Sequence, residues 1–214
     1  MRRFLAVACT ISLGVLCFAS NMGLVPSTHL PNPGTEITLQ VTGAPTGAQF
    51  SWDFNGDGRS DATTTQPWAK WTVPAGYWEV AVDVLQGGKS VARLSTAVVA
   101  DAHLGAIRSV QWVGGVAEVT VVVRAKQFVV APGLSETIPP GWVVEVVDDG
   151  GAFFQRGNAL DALWPTLLDP GMEVRLVYRL YPPTAGAAAR LSGMVSGYKD
   201  GQRVEARVAG TVTF

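Results

Sequence analysis

One stretch constrains this chain more than any other. Phe50-Ser-Trp-Asp-Phe-Asn-Gly-Asp-Gly-Arg-Ser-Asp61 is an alternating aromatic run that passes directly into a turn rich in oxygen-bearing side chains. Phe50, Trp52 and Phe54 fall on one face of a period-two strand, and Asn55-Gly-Asp-Gly58 supplies the positive-φ positions that a tight hairpin requires. In the same turn Asp53, Asn55, Asp57 and Asp61 sit at i, i+2, i+4 and i+8. Hard oxygen donors on alternate residues can converge on one cation, so these four are the candidate ligands of a weak, structural calcium ion. No glutamate stands at the twelfth position of the loop, which argues against an EF-hand. The competing reading makes the same residues a hairpin turn whose acids satisfy backbone amides.

The remaining composition fits an all-β chain. Gly and Pro number 24 and 13 in 214 residues, and Val and Thr recur in short alternating runs. A net charge of -1 without a Lys/Arg run excludes a nucleic-acid groove. At the start, Arg2 and Arg3 precede an apolar run from Phe4 to Ala19, the pattern of a secretory signal. Export with a mature end between Ser20 and Leu24 is expected, so the chain is secreted or held at the cell surface. The rival reading is an uncleaved anchor, the one membrane contact the sequence offers. Both cysteines, Cys9 and Cys17, lie in this leader, so a cleaved chain has no thiol. His29 and His103 are the only histidines, which argues against a Ser-His-Asp arrangement.

Residues 1–22 therefore read as the signal segment, and 23–34, with three prolines and no periodicity, as an extended linker. From residue 35, Ile37, Leu39 and Val41 open a first β-unit that runs to about residue 101. Trp78, Val80, Val82 and Val84 share one face of a later strand, and Gln86-Gly-Gly-Lys89 turns a hairpin. Three blocks in this unit resemble the PKD domain, an Ig-like module of extracellular and surface proteins. They are Phe50-Ser-Trp-Asp-Phe54 with Gly56-Asp-Gly58, Pro67-Trp-Ala-Lys-Trp71, and Pro74-Ala-Gly-Tyr-Trp-Glu-Val-Ala-Val82. The resemblance implies an Ig-like sandwich and no catalytic residue.

Residues 102–214 read as a second sandwich. Val119, Val121 and Val123 alternate with polar neighbours, as do Leu176, Tyr178 and Leu180, and Lys199-Asp-Gly-Gln202 joins a closing hairpin. Only 158–168 could hold a helical turn, limited by Pro165. Ser135-Glu-Thr-Ile-Pro-Pro-Gly-Trp142, Trp164, and Leu168-Asp-Pro-Gly-Met-Glu-Val-Arg-Leu-Val-Tyr178 resemble the Ig-like repeats of prokaryotic surface proteins. The joint is expected near Ala100 to Leu104, where the strand pattern breaks and resumes around Ile107.

These features add up to two Ig-like β-sandwiches in tandem, a non-catalytic surface interaction or spacer protein whose partner is a protein or a polysaccharide. No cofactor is required; the calcium ion above is the one candidate, and it is structural. The alternative is a carbohydrate-binding accessory protein. Register puts Trp71 and Trp78 in the core and leaves Trp68 and Tyr77 as exposed aromatics for sugar stacking. A further alternative is a glycosidase using Asp148 or Asp149, although both acids stand in a glycine turn, where acids are usually solvated.

Overall fold

The computed structural model describes residues 22–214, so the run read as a signal or anchor lies outside the described residues. All regular structure among the described residues is β. The first sandwich contains β1 (Gly23–Pro26), β2 (Glu36–Thr42), β3 (Gln49–Asp53), β4 (Ala62–Thr64), β5 (Trp68–Thr72), β6 (Gly76–Gln86) and β7 (Lys89–Ala100). A sheet of order β1-β2-β5 faces one of order β4-β3-β6-β7. Ile37, Leu39 and Val41 share a core with Phe50, Trp52, Val80, Val82 and Val84. Trp52 is wholly buried. At about 25 cal/mol per Å², sequestering ~200 Å² of indole contributes about 5 kcal/mol before entropy is counted.

The second sandwich follows with β8 (Leu104–Val113), β9 (Val116–Ala125), β10 (Val129–Thr137), β11 (Val143–Asp148), β12 (Phe153–Arg156), β13 (Ala159–Leu163), β14 (Leu167–Leu168), β15 (Glu173–Tyr181), β16 (Gly193–Lys199) and β17 (Gln202–Gly210). Its strands run in the order β11-β15-β9-β8-β17-β16-β10-β13-β12, two layers joined where β17 pairs in parallel with β8, with β14 on β10. Val119, Val121 and Val123 of β9 point inward with Leu176, Tyr178 and Leu180 of β15. The Asp200-Gly201 hairpin adopts positive φ at both central residues, 51° and 76°, matching the twist of the strands it joins.

Three expectations need correction. Residues 23–34 are not a free linker: Gly23–Pro26 pairs with Leu39–Thr42 as an edge strand, so the first sandwich begins before residue 35. Leu24 and Pro26 turn inward and Val25 outward, and the missing amide of Pro26 costs little at an edge. Residues 158–168 form β13 and β14 rather than a helical turn, because β10 offers them a ladder partner. The second strand pattern resumes at Leu104, not Ile107, leaving only Asp101-Ala-His103 between β7 and β8.

That short connection is tied on several sides. Asp101 Oδ1 accepts the amides of His103 and Leu104 at 2.7 and 3.1 Å. Lys126 Nζ donates to the carbonyls of Pro31 and Asp101, both at 2.7 Å. Leu30, which precedes the first sandwich's β2, packs into the second core. Gly105 makes room for it, since a Cβ there would lie 2.8 Å from Leu30 Cδ2. The last strand, β17, pairs with both β8 and β7 and so bridges the junction.

Candidate functional site

The acidic turn is the first candidate, and its oxygens are engaged by the protein itself. Asp53 is buried; its Oδ1 accepts the Gly56 amide at 2.7 Å, and its Oδ2 accepts the Gly58 amide at 3.0 Å and Arg93 Nη2 at 3.1 Å. Asn55 Oδ1 takes the Asp57 amide, Asp57 Oδ1 the Arg59 amide, and Asp61 Oδ2 the Phe54 amide, at 2.7 to 2.9 Å. Gly56 is required here, because a Cβ would lie 2.7 Å from the Glu79 carbonyl. Each of the four side chains thus accepts at least one backbone amide, as the hairpin-turn reading expects, and the positive charge beside Asp53 is the Arg93 guanidinium. Among the described residues no three His, Cys, Asp or Glu side chains group closely enough to hold a metal.

The second candidate lies beside that turn, where the free edges of the two sheets, β4 and β5, leave a groove of about 520 Å³. Trp68, 44% exposed, forms one side. Phe54 lies against the groove and is held by stacking on Trp71, with centroids 5.6 Å apart and planes at 7°. The polar lining is hydroxyl and amide: Gln49, Thr63, Thr64, Thr65 and Gln66. Thr64 is fixed, accepting Trp52 Nε1 at 2.9 Å and donating to the Gln66 carbonyl at 2.7 Å. Lys70 is the one charged residue of the lining, and Glu36 neutralises it at 2.8 Å. An aromatic face beside uncharged hydrogen-bonding groups suits a neutral, polyhydroxylated ring.

Tyr77 takes no part in this groove, which corrects the proposed aromatic pair. It is half-buried at the junction, packs against the second core, and lies under Arg207, whose guanidinium carbon is 3.8 Å from the ring centroid. Burial raises its phenol above the usual value, with a further contribution from Glu79. Strand register exposed the tyrosine correctly with respect to its own sandwich, but the second sandwich covers it. Trp71 and Trp78 are half-buried and pack against the first core, with ring planes at 89°.

The turn carboxylates of the second sandwich are also committed. Asp148 Oδ2 accepts Arg175 Nη2 at 2.6 Å and its Oδ1 accepts the Gly150 amide. The arginine holds this carboxyl below the usual range, assisted by that amide. A general acid for glycoside cleavage needs the opposite shift. Asp149 Oδ1 accepts the Gly151 amide at 2.8 Å.

Sequence reading missed the most deeply buried polar group. Arg108 of β8 and Glu136 of β10 meet inside the second core, with side chains 1% and 0% exposed. Arg108 Nε and Nη2 donate to the two Glu136 oxygens at 3.0 and 2.8 Å, and Nη1 donates to the Thr211 carbonyl at 2.9 Å. Tyr178 donates to Glu136 at 3.3 Å. Burial and the adjacent Glu136 charge push the Tyr178 phenol far up, so it remains a neutral donor. A signal was present: Leu104, Ala106 and Arg108 share the inward register, as do Leu134 and Glu136.

No protein-family model matches this chain. None of the curated proteins matches it either. Among solved structures it is similar to the full-length major pilin SpaD from Corynebacterium diphtheriae, with 12% identity over 89% of this chain and 65% of that one, and a TM-score of 0.42. It is also similar to a protein described as membrane anchored from the same organism, with 9% identity, 90% and 58% coverage and a TM-score of 0.33. A chitinase from Bacillus thuringiensis gives 11%, 75%, 26% and 0.37. The chain thus spans a little under two thirds of the pilin and about a quarter of the chitinase.

Proposed function

We propose that this protein is a non-catalytic interaction and spacer module working outside the cell. The observation that carries this reading is the tied junction. Glu79 of the first sandwich and Arg190 of the second form a two-bond ion pair at 2.6 and 3.1 Å. With Leu30, Lys126, the shared strand β17 and the Arg207–Tyr77 stack, that pair makes two sandwiches into one stiff unit. A spacer needs such stiffness, because a loose hinge would let its ends fold back. The export reading rests on Arg2, Arg3 and the apolar run that follows, and the PKD-like reading on the three blocks around Trp52, Trp71 and Trp78. Protease added to intact cells of the source should degrade the chain. Protection until the cells are lysed would overturn the proposal.

The groove beside Trp68 favours a second reading, in which the first sandwich binds a neutral polysaccharide. Electrophoresis through gels containing neutral glucans, chitin fragments or mannans should retard the chain, and Trp68→Ala should abolish the retardation without moving Tm. Unretarded migration in every gel would remove this reading and leave the spacer role standing.

A further inference from the structure

Four stretches without a charged residue, 109–117, 137–144, 180–189 and 211–214, come together at one end of the second sandwich. The rings of Trp112, Trp142 and Phe214 stand 5.7 to 6.3 Å apart there. Trp142 is buried and Trp112 is 46% exposed. On the outer face, Val113 pairs with Val116, and Val143 pairs with Tyr181. Leu180 pairs with Ala117, which brings Tyr181 level with Val116. The result is one apolar row across β8, β9, β15 and β11, with Val113 57%, Val143 64% and Tyr181 37% exposed. Two rungs further in, the row is charged and paired: Gln111 faces Glu118, Glu118 faces Arg179, and Arg179 faces Glu145.

We propose that this end of the second sandwich seats in the headgroup layer of an electrically neutral lipid surface. Trp112 and Tyr181 each present an apolar body with a polar edge, the side-chain chemistry favoured at a membrane–water boundary. No side chain in the row itself is charged, so none there must be stripped of water; two cations that flank it are already engaged, Arg156 donating to the Val144 carbonyl at 3.3 Å and Arg190 pairing with Glu79. The belt of Glu118, Arg179 and Glu145 marks the depth at which insertion stops. A Gly114-Gly115 turn with φ of 59° and 82° keeps the hairpin narrow. A second protein copy fits less well. The exposed area of Trp112, Val113, Val143 and Tyr181 is on the order of 400 Å², about half of the ~800 Å² that each side of a standard protein interface buries.

The leader has no tryptophan, so indole emission reports on the described residues alone. Full-length protein mixed with phosphatidylcholine vesicles bearing brominated acyl chains should lose part of its tryptophan emission, equally at low and high salt. Trp112→Phe should lose most of that quenching, and Val113→Asp with Val143→Asp should lose it too, with Tm unchanged because both valines are exposed. Three results would overturn the proposal: no quenching, quenching that survives both variants, or quenching that requires anionic lipid. A monomer–dimer equilibrium abolished by the valine variants, without quenching, would assign the row to a second copy.

Discussion

The first sandwich orders its core with rings and the second with an ion pair. In the first, Phe50, Trp52, Phe54, Trp71 and Trp78 form a continuous series with centroid spacings of 5.6 to 6.5 Å. Only Phe50 and Trp52 are fully enclosed; the other three are half-buried. In the second, a bidentate Arg108–Glu136 pair, with Tyr178, ties one sheet to the other through a largely aliphatic core that also encloses Trp142 and Trp164. A strand slipped by one residue costs the ringed core its apolar area, in proportion to what turns outward. The same slip in the second core strands two buried charges, and there the penalty comes all at once. Graded packing goes with a domain that has an open groove at its edge, whereas an abrupt lock suits one whose Val-rich strands, such as β9 and β11, resemble one another.

The largest test of this contrast is Glu136→Ala, expected to destabilise the second sandwich by about 3–5 kcal/mol, because Arg108 is left buried and unpaired. Chemical denaturation followed by tryptophan emission would measure it. Replacing both partners, Arg108→Met with Glu136→Leu, should recover part but not all of the loss. The Thr211 carbonyl would lose its donor. Full recovery would reduce the pair to a replaceable filler and break the comparison.

Next in size is Asp53, the polar counterpart in the first sandwich. Asp53→Ala leaves the amides of Gly56 and Gly58 without their acceptor, a loss of about 2–3 kcal/mol. Asp57→Ala, at an exposed turn position, should stay within about 0.5 kcal/mol. Since these oxygens already have partners, Tm should not move between chelator and about 10 mM calcium, a concentration that saturates weak extracellular sites. A calcium-dependent rise lost in Asp57→Ala would return the turn to metal binding.

The aromatic series gives a smaller, graded effect. Trp71→Ala and Trp78→Ala should each cost about 1–3 kcal/mol, below the 3–5 kcal/mol of a fully enclosed tryptophan such as Trp52. Trp68→Ala should cost under about 0.5 kcal/mol, as a surface change away from such features. Equal losses at 68 and 71 would place Trp68 in the core and close the groove to any ligand.

What could be read from sequence follows the same division. Alternation around Trp52 and Val82 located the strands, the hairpins and the inward faces, because apolar side chains on a period of two have one stable arrangement. The exposure of Trp68 followed from the same register. Arg108 and Glu136 stood in the inward register but were passed over, because a charged residue is read as outward by default and nothing local says that two charges 28 positions apart will neutralise each other. Tyr77 was misplaced for a related reason: register describes one sandwich, and its cover comes from Arg207 on another. The groove needed Thr63 to Gln66 and Trp68 brought together across two sheet edges, a placement set by tertiary packing rather than spacing.

The smallest expected effect concerns the junction, where the ion pair is partly exposed rather than buried and two groups that titrate in acid, His29 and Glu79, are held below their ordinary pKa values. His29 Nδ1 lies 3.0 Å from the Ala97 carbonyl, and burial holds its pKa below the usual 6.5. Glu79 is held below 4.5, chiefly by Arg190, with Arg207 contributing. Both shifts have the same sign. The unfolded or separated form takes up a proton more readily than the closed one, so each group's contribution is present above its ordinary pKa and is lost as pH falls below it. Acidification should therefore loosen the junction in two steps, the first starting below pH 6.5 and the second below 4.5. Limited proteolysis at 101–103 and small-angle scattering at fixed salt would follow the opening. His29→Leu should remove the first step and leave the second, while Glu79→Gln should make cleavage at neutral pH resemble that of the acidified wild type. A junction equally resistant to protease at pH 7 and pH 4 would mean that Leu30 and β17 hold the sandwiches together without help from either charge.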